Sequence, residues 1–102
     1  MTETLHSFVE LFNRHMADAR ILSANTVEAY SRDLADATVT IGPETPLASV
    51  DRATIRAYLA RLGERGLSAR SIGRHLAALR SFFRYAVQEG FTETNPARGV
   101  LA

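Results

Sequence analysis

Apolar side chains recur along this chain at helical spacing, and no stretch shows the alternating pattern of a strand. Leu5, Phe8, Val9, Phe12 and Met16 step by threes and fours, which predicts a first helix from about residue 3 to residue 19 with Thr2 or Thr4 as its cap. Ser23 opens "SANTVEAYSRDL", where Val27, Tyr30 and Leu34 share one face of a second helix. Its end is open, because the β-branched "TVTI" at 38–41 can continue or fray, and Gly42 and Pro43 stop it. After a loop at 42–50, Asp51 caps a third helix with Ile55, Tyr58, Leu59 and Leu62 inward and Gly66 beyond its end.

Ser68 caps a fourth helix that runs to about Glu89 and stops at Gly90. At 100° per residue, Ile72, Leu76, Leu79, Phe83 and Ala86 fall within about 80° of one another and define its buried face. The tail "TETNPARGVLA" holds Pro96, Gly99 and little apolar content, so it reads as a turn and the start of a linker at 96–102, leaving 1–95 as the folded unit. With no internal repeat or low-complexity tract, the fold class is all-α, a small bundle of four to five helices. At 102 residues it is one domain that buries about 60 to 70% of its unfolded surface.

The outer face of the fourth helix changes the picture. The helix carries Arg70, Arg74, Arg80 and Arg84, and opposite its apolar stripe lie Arg70, Arg74, Ala77, Ser81, Arg84 and Gln88, without one acid. A helix about 10 to 12 Å across fits the roughly 12 Å major groove of B-DNA, and small residues in mid-stripe permit close approach. The amides at Ala69, Arg70 and Ser71 open a helix N-terminus suited to phosphate, with Ser68 and Ser71 hydroxyls beside them. The same stripe is compatible with a solvated outer face, but such faces usually mix signs. Gly73 in mid-helix costs about 1 kcal/mol against alanine, and close packing of a neighbouring helix accounts for it more readily than close approach of a DNA backbone.

Charge is polarised along the chain. Residues 1–51 hold three arginines against eight carboxylates, a net −5, and residues 52–102 hold nine against three, a net +6. All twelve basic residues are arginine, which suits bidentate phosphate and guanine contacts, although a coding bias that also yields sixteen alanines explains it as simply.

Other chemistry is sparse. There is no cysteine for a disulfide, thiolate nucleophile or zinc-thiolate site. His6, His15 and His75 form no HExxH or i, i+4 pair, the carboxylates scatter without an evident pair, and no phosphate-binding glycine loop or GxSxG occurs. Tyr30, Tyr58 and Tyr85 are better placed for packing than for nucleophilic attack. No catalytic residue, metal site or cofactor is expected, and no run approaches the roughly 18 apolar residues of a membrane span.

"GLSARSIGRHLAALRSFFRYAVQEGFTETNPARGV" resembles the second half of the core-binding domain of tyrosine site-specific recombinases, closest to the Xer type that resolves chromosome dimers, and "LSANTVEAYSRDL" resembles the second-helix signature of that domain. The resemblance covers about Leu5 to Val100. It implies a SAM-like integrase N-terminal domain that, with a C-terminal catalytic domain, clamps double-stranded DNA at one recombination half-site in the cytoplasm. It also implies contacts with other recombinase subunits and groove-facing residues Asn25, Thr26 and Arg32 on the second helix and Arg70, Ser71, Arg74, Ser81 and Arg84 on the fourth, to which the helix N-terminus adds Ser68 as a DNA-binding candidate. Glu28 lies four residues before Arg32 and can pair with it. The family's catalytic arginines, lysine, histidines and tyrosine would lie beyond residue 102, so the chain reads as a non-catalytic part of a larger recombinase. A phage or mobile-element integrase, a stand-alone occupant of recombination sites and a helical protein-interaction module are the alternatives.

Overall fold

The computed structural model describes residues 3–19 and 22–101. Four α-helices occur among them: α1 (Leu5–Ala19), α2 (Ala24–Ile41), α3 (Arg52–Glu64) and α4 (Ala69–Gln88), with a short 3₁₀ turn at Leu47–Ser49. Each start follows from a local side-chain trade. The Thr4 hydroxyl accepts from the Ser7 amide at 3.2 Å, and the Ser7 hydroxyl accepts from the Thr4 amide at 3.1 Å. Thr2, the other candidate cap, lies outside the described residues. Ser23 and Ser68 accept from the amides of Thr26 and Ser71, and Asp51 and Thr54 form a reciprocal capping box on α3.

The β-branched 38–41 stretch continues α2 to Ile41, and Gly42 closes the helix at φ 123°, its amide bonded to the Thr38 carbonyl. Thr38 fits because its hydroxyl donates to the Leu34 carbonyl at 2.7 Å, which satisfies a buried polar group within the helix. The following loop ties back to the start of α1, where the Leu5 and His6 amides donate to the Thr45 and Pro43 carbonyls.

α4 is the axle of the bundle, with α1, α2 and α3 all packed against it. Its buried face is therefore wider than the expected stripe: His75, Ala78 and Phe82 are buried together with Leu76, Leu79, Phe83 and Ala86, while Ile72 is only half-buried. A stripe calculation assumes one neighbour, and this helix has three. On α1 the five expected core residues are all buried. On α2 only Leu34 of the expected trio is fully buried, with Val27 and Tyr30 packed against the core edge.

The tail departs from the linker reading. A turn does occupy 96–99, but Ala97 and Val100 are 0% and 1% exposed. Arg80, whose charge was counted with the basic helix, is turned to this segment: its Nε donates to the Ala97 carbonyl at 3.3 Å and its Nη2 to that of Val100. Asn95 donates to the Arg80 carbonyl and accepts from the Ala97 amide. The low apolar count concealed this packing because two small apolar residues one turn apart suffice when an arginine caps the carbonyls between them.

Val100→Ala should therefore lower stability by about 2 kcal/mol in a urea melt, the cost of deleting two buried methyl groups. A loss within about 0.5 kcal/mol, as for a solvent-exposed linker residue, would show that the tail is unpacked in solution.

Candidate nucleic-acid interface

Leu22, just before α2, lines a cleft with Ser81, Arg84 and Gln88 of α4, whereas Asp33 further along α2 pairs with Arg74. α2 therefore runs antiparallel to α4, bringing its first turn toward the C-terminal end of α4. The predicted residues fall on this pair of helices at three levels. Asn25 is exposed in the first turn of α2, and the half-buried Thr26 accepts from the Ser23 hydroxyl at 2.9 Å. Ser81 and Arg84 belong to the C-terminal half of α4, where Arg84 Nη2 donates to Ser81 Oγ at 3.3 Å.

Arg32 and Arg74 mark the middle level. Arg32 pairs with Glu28 at 3.2 Å, with both side chains largely exposed, a contact worth a few tenths of a kcal/mol. Arg74 is held more firmly, by Asp33 at 2.8 Å and 2.9 Å through its Nε and Nη2. This bond raises the Arg74 guanidinium further above its ordinary pKa, so its charge is permanent.

At the N-terminal end of α4, Ser68 and Ser71 are occupied with capping, their hydroxyls 3.1 Å apart. Arg70 is exposed and makes no ion pair among the described residues. Arg70 and Arg84, fourteen residues apart in the sequence, are separated by roughly 21 Å along the helix. α3 also exposes arginines, at 52, 56 and 61, of which Arg52 donates to the Arg98 carbonyl at 3.2 Å.

Gly73 is not explained by helix packing. A Cβ built there would meet nothing within 4 Å, so the packing expectation is corrected. The glycine lies to one side of Arg70 and Arg74 and leaves open space there.

Beneath this face lies a polar cluster that hydrophobic periodicity does not reveal. Asp33 is 4% exposed, and His75 Nε2 lies 3.3 Å from its Oδ1. His75 Nδ1 is 2.8 Å from the Tyr58 hydroxyl oxygen, which lies 3.3 Å from an Asp36 carboxylate oxygen. Arg65 closes the cluster on Asp36 at 3.2 Å. Two of the carboxylates that are scattered along the sequence thus converge, because Asp33 and Asp36 are three apart on one helix and share a face. The available signal was an acid beside Leu34 on the core side of α2 and a histidine beside Leu76 on the core side of α4. Their pairing depends on helix register, which periodicity does not encode. Burial and the Asp36 carboxylate push the Tyr58 phenol well above its usual range. Burial lowers the pKa of His75, and Arg74 and Arg65 reinforce that shift while Asp33 and Asp36 oppose it. No group of three or more side chains suited to a metal ion occurs among the described residues, and no helix among them is long and apolar enough to cross a membrane.

Residues 9–90 match the family described as phage integrase, N-terminal SAM-like domain. The chain belongs to this family of tyrosine recombinase N-terminal domains. Among curated relatives it is 40% identical over 106 residues to tyrosine recombinase XerC of Salmonella typhi, covering 100% of this chain and 35% of that protein. It is 38% identical over 94 residues to XerC of Alcanivorax borkumensis strain SK2, covering 92% of this chain and 30% of that protein. Tyrosine recombinase XerD of Rhizobium meliloti strain 1021 is 35% identical over 102 residues, covering 99% and 32%. The chain spans about a third of the length of these relatives. Among solved structures, a lambda integrase (75–356) dimer bound to a COC′ core site superimposes with a TM-score of 0.83 at 27% identity, covering 97% of this chain and 35% of that one. The all-helical integrase N-terminal fold is therefore shared.

In this integrase-type domain the neutral imidazole of His75 is the form that the fold favours. Because its pKa is depressed in the folded state, the unfolded chain binds more protons as pH drops. The contribution is fully present above the unfolded value of about 6.5 and is lost as pH falls through the folded one. Thermal melts should thus show the domain losing stability from pH 7.5 to pH 5.5, and His75→Gln should flatten that loss. An equal pH response in wild type and His75→Gln would exclude His75 as its source.

Proposed function

We propose that this domain is the core-binding part of a Xer-like tyrosine recombinase, gripping one half of a duplex recombination site through α2 and α4. The observation that carries the reading is the outer face of α4: Arg70 and Arg84 are exposed at opposite ends, and neither is neutralised by a carboxylate among the described residues. It supports a phosphate- and groove-facing role on a domain whose structural neighbour is a dimer on a core site. The finer assignment, chromosome dimer resolution in the cytoplasm, rests on identities of 35 to 40% with XerC and XerD proteins.

In this reading the chain supplies binding and a C-terminal domain of the parent supplies the tyrosine nucleophile. A linker that follows Val100 suits this reading better than one from residue 96, because Ala97 and Val100 are buried against the bundle. Groove-facing candidates are Asn25, Thr26 and Arg32 on α2 and Ser68, Arg70, Ser71, Arg74, Ser81 and Arg84 on α4. Neighbouring recombinase subunits on the same DNA are the further partners. The likeness to lambda integrase favours a second reading, a phage or mobile-element integrase with the same domain mechanics and a different site.

Fluorescence anisotropy with a labelled duplex carrying a Xer-type half-site, and with a scrambled duplex, tests this across a salt series. Binding should weaken steeply with salt, log K falling by about 0.9 per decade for each phosphate neutralised. Arg70→Ala/Arg84→Ala should weaken binding and flatten the slope by about 2 if both arginines contact phosphate. A folded double variant with unchanged affinity and slope would remove α4 from the interface.

A further inference from the structure

Arg74 differs from Arg70 and Arg84 on the outer face of α4 in being held by a carboxylate, and it is held along one edge. Its Nε and Nη2 each donate to one Asp33 oxygen, at 2.8 Å and 2.9 Å. A guanidinium has five N–H donors in a fixed plane, and these bonds use two of them. The Nη1 pair and the second Nη2 hydrogen meet no acceptor among the described residues.

The two partners are unequally placed. Asp33 is 4% exposed and also bound to His75, so it cannot swing outward, whereas the Arg74 side chain is 44% exposed. Gly73 beside it offers no bulk to block an approaching ligand.

We propose that Asp33 is a positioning residue for DNA recognition, clamping Arg74 by its Nε edge so that the opposite edge faces outward as a fixed pair of donors. This rests on the DNA-binding function proposed above. Two parallel donors match two acceptors, either phosphate oxygens or O6 and N7 of a guanine. An arginine already held in place does not have to be ordered when it binds. The buried carboxylate thereby serves a polyanion that it would otherwise repel.

That opposition makes the proposal testable by sign. If Asp33 were only an adverse charge, removing it would tighten DNA binding. As a clamp, it should do the reverse. Anisotropy with the half-site and scrambled duplexes is measured for wild type, Asp33→Asn, Arg74→Lys, Arg74→Gln and Asp33→Asn/Arg74→Gln, with helical circular dichroism confirming the fold of each.

Asp33→Asn should weaken half-site binding about tenfold despite the gained positive charge, and Arg74→Lys, which keeps the charge but lacks the planar fork, should do the same. With Arg74→Gln present, Asp33→Asn should add no further loss. If Arg74 meets phosphate, Arg74→Gln weakens both duplexes alike and lowers the salt slope; if it meets a guanine, only the half-site loses.

Tighter binding by Asp33→Asn, or wild-type affinity in Arg74→Lys, would overturn the proposal and leave the pair as a structural tie. Should Asp33→Asn fail to fold, Arg74→Lys at its half-exposed position decides alone. Wild type binding neither duplex would instead overturn the underlying DNA reading and the clamp with it, a result distinct from intact wild-type binding with unaffected variants.

Discussion

The arrangement of α2, α3 and α4 depends on one buried anion. Asp33 sits inside the bundle, where an ionised carboxylate is costly unless it is paired and hydrogen-bonded. α4 supplies both partners, Arg74 from the solvent side and His75 from the core side. His75 then reaches Tyr58 of α3, and Tyr58 reaches Asp36 one turn further along α2. The chain of contacts joins three helices, and no buried side-chain polar atom among the described residues is left without a partner. Such a network is satisfied in one register only, since sliding α2 along α4 by a turn would strand a carboxylate.

The apolar core supplies the bulk of the driving force, and the polar network supplies the alignment. Phe82 and Phe83 pack edge to face with centroids 4.8 Å apart, and Phe12 of α1 meets Phe82 edge-on at 5.8 Å and Tyr85 at a tilt at 5.3 Å. Apolar packing of this kind is non-directional enough to tolerate small shifts. A carboxylate gripped at two points by one guanidinium is not. The face that DNA would meet is thus built on the more exacting of the two interactions, and Arg80 does similar work at the other edge of α4 by holding the tail carbonyls.

Most of the fold was legible in the sequence. Serine and aspartate caps and glycine stops gave the starts and ends of the later helices, and the threes and fours of α1 gave its buried face, because these signals act within one or two turns. What was not legible depends on register between helices. Asp33 resembles any surface acid of an amphipathic helix until Arg74 and His75 are brought opposite it. Arg80 resembles its neighbours until the tail folds back. The same limit applies to the site: the arginine stripe was visible as a pattern, but which of its members are free and which are bound could be read only once α2 lay antiparallel to α4.

The central claim is that the face made by α2 and α4, aligned through Asp33, receives the duplex. It is tested most directly by titrating a duplex half-site into ¹⁵N-labelled domain and following backbone amide and arginine Nε–H signals. The account predicts shifts concentrated at Asn25–Arg32, at Arg70–Arg84 and at the Arg74 side chain. Shifts confined to α1, or to the exposed Arg56 and Arg61 of α3, would contradict it by placing the DNA on another surface.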